Sequence, residues 1–189
     1  QVDPTFAPVI IDGISYHEWR TNSAGYHHHN WYGFGAIDAE AAVSYAENWD
    51  TSVYPFNAQE VSTWHSSTEE QVPMLVVNND GSGEFSATAG IMNPTAGLVE
   101  YVTIGVDLET AVPNGYGLRL VSPTGTVSSL LHPHTAISDL YDGGAILSSA
   151  AFYGEEMGGA WILEVYDHLN DGNSVALNSW QLKFHYRQP

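Results

Sequence analysis

The sequence predicts an all-β protein: an antiparallel jelly-roll β-sandwich of about eight strands, preceded by an irregular segment and one α-helix. Three observations carry this. Short stretches rich in β-branched and aromatic residues follow one another between Val72 and Tyr186. Turn signals separate them, at Asn79-Asp80-Gly81, Asn93-Pro94, Pro113-Asn114-Gly115, Pro123-Thr124-Gly125 and Asp142-Gly143-Gly144. In the last two stretches, large side chains recur at a period of two: Trp161, Leu163 and Val165 on one, Trp180, Leu182 and Phe184 on the other. Trp161 and Trp180 are therefore expected in the core.

Taken in order, residues 1–35 read as irregular. Pro4, Pro8, Gly13, Gly25 and Gly33 punctuate them, and Phe6, Tyr16, Trp19, Tyr26, Trp31, Tyr32 and Phe34 make them unusually aromatic. Such a segment needs another surface to cover. Asp38 to Asn48 is the one clear helix. Asp38 is placed to cap it, Glu40 sits near the positive end of its dipole, and Ala42, Val43, Tyr45 and Ala46 form an apolar stripe. Residues 50–71 are polar and read as a linker and entry segment. The strands then run over Val72–Val77, Glu84–Ile91, Val99–Leu108, Tyr116–Val121, Thr126–Leu131, Ile146–Tyr153, Ala160–Tyr166 and Ala176–Tyr186. Asp171-Gly172 is the turn expected between the last two.

Charge bounds the partners. Four Lys and Arg stand against 22 Asp and Glu in 189 residues, a formal net charge of −18. Phosphates would be repelled, so neither a nucleic acid nor an anionic membrane surface is an expected partner. Divalent cations are favoured, and calcium is the cofactor to consider. Two oxygen-rich loops supply ligands: Asp80 and Glu84 beside Gly81 and Gly83, and Asp167 and Asp171 beside Asn170 and Asn173. The simplest reading of each is a hairpin turn, and the first lacks the acidic opening and closing ligands of a helix–loop–helix calcium site. His27-His28-His29 is weaker bait, because neighbouring side chains on an extended segment point opposite ways. His132-Pro133-His134 puts two rings on one face of a strand but has no identifiable third ligand. There is no cysteine and hence no disulfide. No signal peptide is visible and Gln1 is not a natural start, so the chain reads as a piece of something longer.

Several motifs carry a resemblance. Gly159-Ala-Trp161-Ile-Leu163-Glu-Val165-Tyr-Asp167, a polar loop, then Leu177-Asn-Ser179-Trp180-Gln-Leu182 resembles the end of a P domain, the module that follows the subtilisin-like catalytic domain in kexin, furin and related bacterial proteases. Val121-Ser-Pro-Thr-Gly-Thr126 with Leu130-Leu131, and Phe152-Tyr-Gly-Glu155, resemble two further family segments in the right order. Upstream, Tyr32-Gly-Phe-Gly35, Asp38-Ala39 and Asn48-Trp49 resemble the close of the kexin-like catalytic domain. The resemblance implies a catalytic-domain tail over residues 1–49 and a P domain over 50–189. It also implies a secreted or periplasmic origin and a catalytic domain of the same protease as partner. No residue inherits a catalytic role. The family's nucleophile motif, Gly-Thr-Ser-x-x-Ala-Pro, is absent and belongs upstream of Tyr32. The family's Asp before the Ser-Pro-x-Gly turn is replaced by Gly117.

The function this implies is the non-catalytic C-terminal portion of a secreted kexin-like serine endopeptidase, packed on the catalytic domain and stabilising it. The competing reading is a jelly-roll binding module for carbohydrate or protein, which an array of aromatics on one exposed sheet face would favour. A metallohydrolase built on the histidines would need three convergent zinc ligands.

Overall fold

The computed structural model describes residues 9–11, 13–50, 59–66, 74–76, 87–93, 95–110, 115–133, 144–168 and 175–188. Its elements are β1 (Val9–Ile11), β2 (Ile14–His17), β3 (Arg20–Thr21), β4 (His27–His28), α1 (Ala39–Glu47), β5 (Glu60–Val61), β6 (His65–Ser66), β7 (Met74–Val76), β8 (Ala87–Asn93), β9 (Leu98–Thr110), β10 (Tyr116–Val121), β11 (Val127–Leu131), β12 (Ala145–Ser149), β13 (Gly159–Asp167) and β14 (Val175–Arg187). The stretches expected as strands from Val72 onward overlap β7 to β14.

Two antiparallel sheets make the body. One runs β11-β10-β13-β8 and the other β12-β9-β14-β5, with β6 and β7 also pairing along β14. Alternation along the strands decides which side chains face the interior. Trp161, Leu163 and Val165 of β13 are wholly buried, while Ile162 between them is 38% exposed. Val102, Ile104, Val106 and Leu108 of β9 and Leu118 and Leu120 of β10 fill the same core. The Trp161 ring sits edge-on to Phe152 at 4.9 Å and to Phe184 at 5.2 Å, so it touches a loop and the opposite sheet at once. Its Nε1 donates to the carbonyl of Met157 at 2.9 Å, which satisfies the one polar atom of the ring.

Strand β14 buries Val175 and Leu177, then Trp180, Leu182 and Phe184. The two sets are out of phase by one residue. The pairing with β9 slips between Leu177 and Ser179, so Asn178 is a bulge that restores the inward phase. A buried hydrogen bond of 2.7 Å between the hydroxyls of Ser128 and Ser149 joins β11 to β12 across one side of the sandwich.

Three sequence expectations change. Residues 9–35 are not irregular throughout: β1 pairs with β2 and β3 with β4. These ladders are too short for any periodicity to stand out. Residues 59–66 are not a free linker, since β5 and β6 are stitched to β14 at Tyr186 and Leu182. The strand expected to reach Tyr153 stops at Ser149, because Gly154 turns back at φ +79° and donates to the carbonyl of Val99 at 2.7 Å. Helix α1 agrees with expectation. The Asp38 side chain accepts from the amide of Ala41 at 2.9 Å.

Candidate functional site

The outward face of the β11-β10-β13-β8 sheet is where the N-terminal segment lies. Gly117 and Arg119 of β10 and Glu164 and Tyr166 of β13 point outward, since their neighbours fill the core. Tyr166 is nonetheless wholly buried, because Ile14 and Tyr16 of β2 close over it, with Ile11 beside them. Gly117 is the seat of Tyr16. A Cβ built there would stand 2.4 Å from the Tyr16 hydroxyl oxygen, closer than any side chain allows. The departure from the family pattern at Gly117 thus has a steric counterpart: the space a side chain would need is taken by an aromatic ring from the N-terminal segment. Beside it, Arg119 grips Glu164 through Nε at 3.1 Å and Nη2 at 2.8 Å.

Two asparagines pin the segment further. Asn30 Nδ2 donates to the carbonyls of Tyr16 and Ser129, at 3.0 and 3.1 Å. Asn22 Nδ2 donates to the carbonyls of Ala151 and Tyr153, at 3.0 and 2.8 Å. Its Oδ1 accepts from the amide of Tyr26 at 2.9 Å.

The deepest anchor is Glu155, a carboxylate only 2% exposed. Its Oε1 accepts from the Ser23 amide at 2.9 Å and from the Thr126 hydroxyl, and its Oε2 accepts from the Thr124 hydroxyl at 3.0 Å. A buried carboxylate is tolerated only when donors surround it, and here they come from two segments, the N-terminal one at Ser23 and the turn that carries Thr124 and Thr126. The two sequence motifs, Val121 to Thr126 and Phe152 to Glu155, therefore meet at this side chain. Phe152 goes into the core, Tyr153 turns outward against Tyr26 at 5.0 Å and Phe34 at 5.8 Å, and Glu155 clamps the turn.

At the other end of the same junction, three imidazoles gather. His17 stacks on His132 with centroids 4.2 Å apart and 20° between planes, and lies 6.3 Å from His29. Burial, and the neighbouring His132 and His29, push the pKa of His17 down to about 4. Burial likewise lowers that of His29, and burial with His29 alongside lowers that of His28. Rings stacked face to face do not aim their in-plane lone pairs at one point. Among the described residues, no group of three or more His, Asp or Glu is placed to hold a metal ion. Of the four proposed calcium ligands, Asp167 lies buried at the end of β13, while Asp171, Asp80 and Glu84 fall outside the described residues. His134 falls outside them too.

What the segment leaves outward is apolar. Trp31 is 55% exposed, Phe34 47%, Ile37 87%, Val43 58% and Tyr45 54%, and α1 buries none of its residues. Phe6 lies outside the described residues. The outward face of the other sheet carries Tyr101, stacked on His185 at 3.8 Å, with Trp64 beside it under the ammonium of Lys183 at 4.4 Å. Among the described residues no helix is long and apolar enough to cross a membrane.

Sequence reasoning did not find Glu155, Asn22, Asn30 or the Tyr16–Gly117 contact. The motifs around Glu155 and the missing side chain at 117 were the available signals.

Residues 99–184 match the family model described as proprotein convertase P-domain. Kexin of Saccharomyces cerevisiae is 27% identical over 176 residues, 88% of this chain and 20% of kexin. Human proprotein convertase subtilisin/kexin type 5 is 30% identical over 162 residues, 82% of this chain and 8% of that protein. The chain thus spans a fifth or less of these two relatives. The crystal structure of a serine protease of Aeromonas sobria superposes with a TM-score of 0.83 at 23% identity, covering 98% of this chain and 38% of that one, a likeness of fold. The same protease in complex with a chaperone superposes with a TM-score of 0.82, covering 99% of this chain and 38% of that one.

Proposed function

We propose, from the match of residues 99–184 to the proprotein convertase P-domain model, that the chain is the non-catalytic C-terminal portion of a secreted or periplasmic kexin-like serine endopeptidase, and that it stabilises the catalytic domain by packing on it. Residues 1–49 are the tail of that catalytic domain and 50–189 the P domain. The jelly-roll reading of the sandwich rests on pairing order. With β7 to β14 counted one to eight, the sheets run 1-8-3-6 and 2-7-4-5, the order of two interlocked Greek keys.

One observation carries the reading. The N-terminal segment is seated on the sandwich through the residues of the family motifs, while its other side, with α1, presents Trp31, Phe34, Ile37, Val43 and Tyr45 outward. An apolar surface of this kind calls for a covering partner. Its occupant is the rest of the catalytic domain, since the chain is a minor share of each relative it resembles. An interface present only in the folded enzyme shifts the folding equilibrium towards that state. The binding-module alternative has less support: the large aromatics divide between the core and the junction, and Tyr101 and Trp64 are already packed against His185 and Lys183.

Calcium, at Asp167 with Asp171 or at Asp80 with Glu84, belongs to the same reading as a stabilising ligand. Both claims are checked on the isolated chain. It is expected to hydrolyse no peptide, including those with basic residues before the cut, and to melt at a modestly higher temperature with millimolar calcium than with chelator. Turnover by the pure chain would refute the non-catalytic assignment, and coincident melts would refute the calcium sites.

A further inference from the structure

We propose that the cleft between the N-terminal segment and β11 is an anchor pocket, which takes one aromatic side chain, a Tyr or a Trp, from the part of the parent protease that covers the segment. It rests on the functional reading above and gives that interface a specific contact.

The cleft has two walls. His17, Asn30 and Trp31 come from the segment, and Ser129, Leu130 and His132 come from β11 and the residue after it. Its volume is about 220 Å³. A cavity of roughly 150 Å³ already holds a benzene ring. The cleft therefore has room for a single substituted or fused ring.

The lining selects for such a ring. Trp31 lies against His17 with centroids 3.9 Å apart and 34° between planes, which makes an aromatic wall. Leu130, partly buried against the core, adds aliphatic surface. No lining residue is acidic, although the chain carries 22 Asp and Glu, so an apolar ring meets no hydrated carboxylate here. Polar groups are few. Asn30 spends Nδ2 on the carbonyls of Tyr16 and Ser129, which fixes its amide and leaves Oδ1 as an acceptor. A phenol or an indole supplies both complements, a flat apolar body and a single O–H or N–H donor. An aliphatic side chain would bring no donor, and a carboxylate would bring an acceptor to an acceptor.

Continuity identifies the source of the ring. Trp31 is at once a wall of the cleft and a member of the outward apolar set that includes Phe34 and Ile37. It is 55% exposed in this chain. A partner that covers that set also covers the mouth of the cleft beside Trp31. Walls left unfilled beneath such a partner would forfeit their dispersion contacts. An aromatic anchor in a pocket, shielded by a rim of weaker contacts, is the arrangement that carries most of the energy of an interface.

Two measurements test the pocket. Indole titrated at millimolar concentration into the isolated chain should shift the methyl NMR signals of Leu130 saturably and leave those of Leu163 unchanged. The intact parent protease, in which a native side chain fills the cleft, should show no such shift. Ser129→Phe grows a ring into the cleft from the β11 side. In the isolated chain it should block indole and leave the melting temperature close to that of the wild type. In the intact protease the new ring competes with the native occupant, and the melting temperature should fall by several degrees. No saturable shift in the isolated chain, equal indole binding by both forms, or equal effects of Ser129→Phe on both would overturn the proposal. Should the variant misfold, the indole comparison decides alone. The two ideas fail separately. If truncation after Trp49 harms the protease while indole binds both forms alike, the functional reading holds and the pocket falls. If the truncation is harmless, the functional reading falls whatever indole does.

Discussion

Trp161→Ala is expected to destabilise the chain by about 3–5 kcal/mol, the range for emptying a large aromatic site. The ring is wholly buried and bridges the two sheets, touching Phe152 and Phe184. Truncation removes both contacts and leaves a void that neighbours on paired strands cannot collapse into. It also removes the donor to the Met157 carbonyl. That oxygen keeps the Asn93 Nδ2 bond at 3.0 Å, so the polar loss is small and the cavity dominates. For a chain of this length the melting temperature should fall by roughly 6–20 °C. Trp161→Phe should recover part of the loss. A melt unchanged by Trp161→Ala would contradict the packing described for β13.

Glu155→Ala should cost about 3 kcal/mol or more, from hydrogen bonds to a charged acceptor worth roughly 1.5–3 kcal/mol each and not additive. The Ser23 amide and the Thr124 and Thr126 hydroxyls would all lose the carboxylate, while the Ser23 amide keeps the Thr126 hydroxyl at 3.3 Å and Thr124 keeps the Ser122 hydroxyl at 2.9 Å. The effect should concentrate at the junction, with faster exchange around Ser23 and Tyr26. Glu155→Gln keeps the shape but turns an N–H towards a donor, so it should restore less than half of the loss. A cycle with Thr126→Val should show coupling, because the two residues share one bond. Full additivity, or a Glu155→Ala chain as stable as wild type, would remove Glu155 from its role as clamp.

The sandwich was legible because burial on one face writes itself into each strand at a period of two. Trp161-Leu163-Val165 and Trp180-Leu182-Phe184 could be read directly, and both sets are buried as read. The bulge at Asn178 was not legible, since a one-residue slip alters phase without altering composition. The N-terminal segment failed for a different reason. Its strands span two to four residues, and what holds them is tertiary: Tyr16 over Gly117, Asn22 on Ala151, Asn30 on Ser129. Long-range pairs of this sort leave no local pattern in a single sequence. The motif around Phe152 to Glu155 marked the right place, yet nothing in its spacing identified Ser23 and Thr126 as the donors to Glu155. His17 and His132 are far apart in the chain, so only the fold brings their rings together.

The central claim is that residues 50–189 stabilise a catalytic domain whose tail is seated on them. The most direct measurement compares the intact parent protease with a form ending at Trp49, in secreted yield, thermal inactivation and turnover. The truncated form leaves Tyr16, Asn22, Ser23 and Asn30 without the surfaces that anchor them. It is expected to be secreted poorly or to lose activity at a lower temperature than the intact enzyme. A truncated protease equal to the intact one in yield, melting temperature and turnover would contradict the account and move the binding-module reading ahead of it.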